Sequence, residues 1–195
     1  RDAMRRANLE NLVRIPGQTF HGRAAIAAGA LLTSAMEPVH ADVPRSQSYL
    51  SAAQKELKGG NLRAAEIQLR NAAQADPDNP TIRVELAEVY LRMAKFPAAE
   101  IEARTALQKG APQERAEPIL AQALLHQRRF DQLFKEVHPG NLSPPVEAEI
   151  RLQLGLAHLQ LGEGAEAEPR LRDAENLEPR AAAPMLGVAE LLVVK

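Results

Sequence analysis

GNLRAAEIQLRNAAQADPDN, from Gly60 to Asn79, decides the fold. A glycine turn opens it and Asp76-Pro77-Asp78-Asn79 closes it. Pro77 lies 102 residues before Pro179, three periods of 34, and the residues between them fall into register. At that period Ala65 coincides with Ala99, Leu133 and Ala167, and Leu69 with Ala103, Val137 and Leu171. Ala72, Ala106, Gly140 and Ala174 make a small-residue row. Ala53, Ala87, Ala121, Gly155 and Ala189 make another, as expected where two helices cross closely and a bulky side chain would force them apart. Ala52, Leu86, Leu120, Leu154 and Val188 form an apolar row. The turns recur too: Lys58-Gly59-Gly60-Asn61 returns as Leu161-Gly162-Glu163-Gly164, and Asp76-Pro77 as Glu178-Pro179. This is a repeat protein.

The unit resembles the tetratricopeptide repeat, with small residues at its positions 8, 20 and 27, proline at 32 and two antiparallel helices per unit. LAEVYLRMAKFPAAEIEARTAL, Leu86 to Leu107, fits that pattern nearly as closely as the opening stretch. The resemblance implies an all-α, right-handed superhelical solenoid of antiparallel helix pairs. Repeats fall at 46–79, 80–113, 114–147 and 148–181, with a partial fifth at 182–195. First helices are expected near 46–58, 80–93, 114–127, 147–161 and 182–194, and second helices near 62–75, 97–109, 130–137 and 165–177. Pro80 and Pro97 suit first-turn positions, where a missing N–H costs nothing, whereas Pro169 should strain its helix. Repeat three departs most: its second helix should break at His138-Pro139-Gly140, which predicts that residues 138–147 open first. Lys195 falls inside a first helix, so the chain reads as the front of a longer array.

Ahead of the repeats the sequence changes character. From Met4 it carries Arg5, Arg6, Arg14 and Arg23 against the single acid Glu10, then the apolar run Ala24–Met36, then a polar stretch. A basic start, a short apolar run and small residues before a cleavage point are the layout of a secretory signal. The reading is a signal peptide in residues 1–41, cleaved after Ala41, with 42–45 as a linker and 46–195 as the array. The apolar run has 13 residues, short of the roughly 20 that span a bilayer. An exported, periplasmic protein is expected, with no transmembrane span in the mature chain.

Composition removes most chemistry. The 195 residues include no cysteine, so disulfides, thiolate metal sites, cysteine nucleophiles and a lipidated cysteine are absent from the chain. Lys and Arg number 24 against 25 Asp and Glu, which leaves no basic excess for nucleic acid. The five histidines, 21, 40, 126, 138 and 158, include no i, i+4 pair, and no phosphate-loop, nucleophile-elbow or dinucleotide signature occurs. His158 falls in a helix-packing row, and the Gly59-Gly60 and Gly162-Gly164 pairs fall at repeat turns. Catalytic residues, metal ligands and cofactors are therefore expected to be none, and the chain is expected not to be an enzyme.

What the family resemblance implies instead is a groove lined by the first helices. Its candidate residues are Leu50, Gln54, Leu57 and Lys58, then Val84, Glu88, Leu91 and Arg92, then Gln122, Leu125 and His126, then Leu152, Leu156, Leu159 and Gln160. An apolar row flanked by Lys58, Arg92 and His126 suits an extended or helical peptide with apolar anchors and an acidic edge. The chaperone-binding subgroup uses a clamp of Lys, Asn and Arg here; Leu50 and Glu85 do not supply it. A signal followed at once by repeats resembles the exported tetratricopeptide proteins of bacterial exopolysaccharide, PEP-CTERM and cellulose-synthesis systems. The expectation is a scaffold that binds a protein or peptide in the cell envelope. The alternatives are a regulatory arm of a larger enzyme or outer-membrane channel, or a cytosolic adaptor should residues 4–41 not be a signal.

Overall fold

The computed structural model describes residues 41–194, with side chains described to residue 191. The leader expected over residues 4–41 lies almost wholly outside them. Among the described residues the chain forms nine helices and no strand. These are α1 (Val43–Lys58), α2 (Leu62–Ala75), α3 (Pro80–Arg92), α4 (Phe96–Gln108), α5 (Gln113–His126), α6 (Phe130–Glu136), α7 (Pro144–Leu161), α8 (Gly164–Leu177) and α9 (Ala182–Val194). Odd-numbered helices are the first helices of successive pairs. Each helix pair packs on the next, through α2 and α3 at the first junction and through first helices as well at the later ones, so the core is a continuous strip rather than a centre.

The repeat rows are the contact points of that strip. Ala65, Ala99, Leu133 and Ala167 are all fully buried, as are Ala53, Ala87 and Ala121. Gly155 shows why its row is small: a Cβ there would sit 2.6 Å from Leu171 Cδ2. Ala189 departs from its row and is exposed: among the described residues α9 packs on α7 and α8, but no helix of its own pair follows it to cover that side. Gly140 also leaves its row, exposed at φ 140°, since α6 has ended before it.

The turns inside each pair share a geometry. Gly60, Ala94, Arg128 and Gly162 occupy one repeated position, and all have positive φ, between 55° and 78°. Glycine accepts that conformation freely; Ala94 and Arg128 adopt it against their Cβ.

Two helix starts differ from the sequence expectation. α1 begins at Val43, so Val43–Arg45 are helix rather than linker: Asp42 accepts from Arg45 N (3.1 Å), Pro44 sits in the first turn, and the Asp42 N–H donates to Ala75 O (2.8 Å). α7 begins at Pro144, because Pro144 and Pro145 occupy its first turn instead of the loop before it. α8 runs through Pro169 unbroken, as α5 runs through Pro118; each loses one backbone bond near the helix start. α6 ends early, as expected, and barely touches α7, whereas α2, α4 and α8 all pack on the first helix that follows.

Candidate partner-binding surface

The expected groove divides into two kinds of residue. Val84, Leu125 and Leu152 are only 1, 5 and 6% exposed and serve mainly as packing residues between neighbouring repeats, with Leu152 keeping one edge on a cleft beside α9. Leu50, Leu57, Leu91, Leu156 and Leu159 are half-buried and also pack against the core. The apolar row is thus largely used in holding first helix to first helix. Burying these side chains is worth about 1.5–3 kcal/mol each, which is why they turn inward once a neighbouring repeat is present.

What remains at the surface is polar. Lys58, Arg92, His126 and Gln160 stand at one repeated position near the C-terminal ends of α1, α3, α5 and α7, and all four are exposed. Among the described residues Lys58, Arg92 and Gln160 make no hydrogen bond or ion pair, whereas the His126 ring stacks on Phe96 with centroids 4.3 Å apart. Nearer the helix N-termini a ladder crosses from repeat to repeat. Gln54 Nε2 donates to Glu85 Oε1 (3.5 Å), Arg115 Nη2 to Glu88 Oε1 (2.9 Å), and Gln122 Nε2 to Glu149 Oε1 (2.6 Å). Gln54, Glu88 and Gln122 therefore line the face and stitch it at once. Burial pushes the Glu85 and Glu149 carboxyls above their ordinary range, against the hydrogen bonds from Gln54 and Gln122.

Two polar clusters were not anticipated. Glu100, 2% exposed in α4, accepts from Gln127 (2.6 Å) and from Arg129 at both oxygens (2.5 Å), and it pairs with Arg104. Arg104 in turn grips Glu136 through two bonds of 2.8 and 3.0 Å. This network ties α4 to the α5–α6 turn and to α6. His158 is 8% exposed, stacked on Phe134 at 4.3 Å, with Nδ1 2.7 Å from Glu163 Oε2. Its role is structural: it joins α7 to α6 and to the turn that starts α8.

Helix pairs of this length, stacked with small residues at the crossings and a positive-φ turn between partners, are those of a tetratricopeptide solenoid. No family model matches the chain. Type IV pilus assembly protein PilF of Pseudomonas aeruginosa is 23% identical over 169 residues, covering 84% of this chain and 67% of that protein. The solved structure of Pseudomonas aeruginosa PilF superposes with a TM-score of 0.60 at 22% identity, over 77% of this chain and 69% of that one. TTC0263, a thermophilic TPR protein of Thermus thermophilus, gives 0.57 at 21% identity, over 76% and 81% of the two chains. YrrB, described as a TPR protein with an unusual peptide-binding site, gives 0.56 at 14% identity, over 79% and 88%. These likenesses establish the fold: an all-α tetratricopeptide solenoid.

Proposed function

We propose that this chain is a non-enzymatic scaffold of the bacterial cell envelope that holds a peptide or a partner protein against its first-helix face. The observation that carries the reading is the row of Lys58, Arg92, His126 and Gln160, exposed at one repeated position, with Lys58, Arg92 and Gln160 unpaired among the described residues. Donors repeated at the spacing of the fold suit an extended ligand that meets one repeat after another. The signal-like layout of residues 4–41 supports export to the periplasm. Among envelope assemblies, the PilF likeness favours a pilus-type assembly over the exopolysaccharide export system that the arrangement of signal and repeats brings to mind.

Two measurements test the proposal. Residues 4–45 fused to a reporter active only outside the cytoplasm should give signal, and a fusion that stays inactive removes the envelope reading. A photo-crosslinking residue placed at Arg92 or Gln160 in living cells should trap a discrete partner, while one at Ile101, which is 62% exposed on α4, should not. Crosslinks confined to Ile101 would place binding on the second-helix face and sink the groove reading.

A further inference from the structure

Between α5, α7 and the start of α9 lies a cleft of about 300 Å³, walled by Gln122, Pro145, Glu149, Leu152, Gln153 and Pro184. Gln153 is its unusual member. It is 7% exposed, lines the cleft, and among the described residues has no hydrogen-bond partner. Its amide is not sealed in: it keeps contact with solvent where it lines the cleft, so it is free to pair with whatever occupies the cleft. Leucines flank it at 152 and 154, and a leucine at 153 would present the cleft with neither the donor nor the acceptor that the amide supplies.

The lining has one sign of charge. Glu149 and Glu178 border the cleft, no Lys or Arg among the described residues does, and Leu152, Pro145 and Pro184 supply its apolar walls. A primary amide both donates and accepts, as a peptide group does, so Gln153 matches the backbone of an extended chain. Apolar walls ending at a carboxylate match a long cationic side chain, whose methylene stem lies on Pro and Leu while its head reaches the acid.

Resting on the scaffold reading above, we propose that this cleft is a specificity pocket for a lysine or arginine side chain of an extended partner peptide, with Gln153 pairing the peptide backbone and Glu149 the cation. The pocket lies N-terminal to the Lys58, Arg92 and His126 row along the first helices, with its Gln122 wall one turn before His126. A bound peptide therefore presents a basic residue to one edge of the face and its acidic residues to the other, which sets its direction. Burial also holds the Glu149 carboxyl above its ordinary range, and an arriving cation relieves that penalty.

The test is an NMR titration of the full 195-residue chain with capped hexapeptides. The probe is acetyl-Ala-Pro-Lys-Ala-Pro-Ala-amide, compared with the same peptide carrying glutamate or norleucine in place of lysine. The lysine peptide should move the Gln153 side-chain amide and the backbone amides of 148–153 and 181–187, with a Kd on the order of 1 mM or below. The norleucine and glutamate peptides should bind at least about fivefold more weakly. Glu149→Gln should erase the preference for lysine over norleucine. Gln153→Met, which keeps the volume, should weaken all three peptides alike. Both variants are checked for unchanged helical content and melting temperature, and a variant that fails that check is replaced by Glu149→Leu or Gln153→Leu. Equal binding of the three peptides overturns the proposal, as does a silent Gln153 amide at about 5 mM lysine peptide. A glutamate peptide that moves only Arg92 and His126 overturns the pocket while leaving the scaffold reading intact.

Discussion

Gly155→Ala asks whether the repeat rows are packing constraints or composition. Glycine inside a helix costs about 0.8–1.0 kcal/mol relative to alanine, so propensity alone predicts that the substitution stabilises α7 by that amount. The structure predicts the opposite sign. A Cβ at 155 would lie 2.6 Å from Leu171 Cδ2 and 2.7 Å from Leu171 Cγ, roughly an ångström inside normal carbon contact. Because Cγ is as close as Cδ2, turning the outer methyls does not free it; the whole side chain must swing or α8 must shift. Leu171 is fully buried, and its Cδ2 is also within 2.9 Å of where a Cβ on Gly187 would stand, so one escape route is closed by α9. Overpacking of this kind costs about 1–3 kcal/mol, which exceeds the propensity gain over most of that range. Urea denaturation followed by far-ultraviolet circular dichroism should show Gly155→Ala less stable than the parent. In a Leu171→Ala background the clash is gone, and the same substitution should become stabilising by close to the propensity value. Stabilisation in the parent background would refute the packing argument.

Three further outcomes follow from the geometry. Ala94→Gly should raise stability by about 1 kcal/mol, measured by the same melt, because Ala94 holds φ 55° where Gly60 and Gly162 hold 75° and 78°. Glu100→Ala should cost about 1.5–3 kcal/mol, since it removes the buried acceptor shared by Gln127, Arg104 and Arg129 while Arg104 keeps Glu136 and Arg129 reaches solvent, and Glu100→Gln should cost less. Burial pushes the Glu100 carboxyl up, but the Gln127 hydrogen bond and the Arg104 and Arg129 charges outweigh it and hold it below its ordinary value. Its contribution is therefore full above the ordinary glutamate range near pH 4.3 and is lost as pH falls further, so the parent should lose more stability there than Glu100→Gln. In hydrogen exchange, Gly140 and Asn141 should exchange fastest within the 43–177 array, while Ser143, whose N–H donates to Glu114 Oε1 at 2.8 Å, should be protected. A Ser143 amide as fast as Asn141 would mean that the loop swings free of α5.

The helix boundaries and crossing rows were legible because they depend on contacts within one pair, and a 34-residue period repeats those contacts along the chain. The groove was less legible because it depends on the angle between pairs. Periodicity shows that Val84, Leu125 and Leu152 sit on the inner side of their helices, but only the stacked repeats show that the neighbouring first helix covers them. Gln153 was missed for a related reason: it occupies the repeat position of Glu85, which lies outside the positions assigned to the groove. A polar residue between Leu152 and Leu154 on a helix face of leucines is the signal that marks it. Val43–Arg45 read as linker because they fall between the expected cleavage point after Ala41 and the first repeat at 46, although Asp42 followed by Pro44 is a helix start. Glu100 carries no local sign of burial; its partners Gln127 and Arg129 lie 27 and 29 residues on, in the turn of the next repeat.

The polar face and the stability of the array are one set of interactions rather than two. Gln54, Glu88 and Gln122 each reach from one first helix to the next, so a ligand that recruits their hydrogen-bonding groups competes with bonds between repeats. Removing such a bond without replacement costs about 0.5–1.5 kcal/mol, so an occupant must return what it takes. The weak junction follows the same logic. α6 barely packs on α7, and the missing contact is supplied by α5, where the Glu117 carboxyl lies by the His138 backbone and Glu114 accepts from Ser143 N and Oγ. Two carboxylates on one helix thus anchor both ends of the irregular segment, and Leu142 packs its middle against the core. Repeat three is irregular without being loose at its ends, and whatever freedom it has lies in the short stretch around Gly140 and Asn141. Gln122 and Glu149, which join α5 to α7 across that junction, also wall the cleft. A peptide seated beside Gln153 would therefore act where, among the described residues, neighbouring repeats are joined mainly by first helices, and its cation would compete with Gln122 for Glu149.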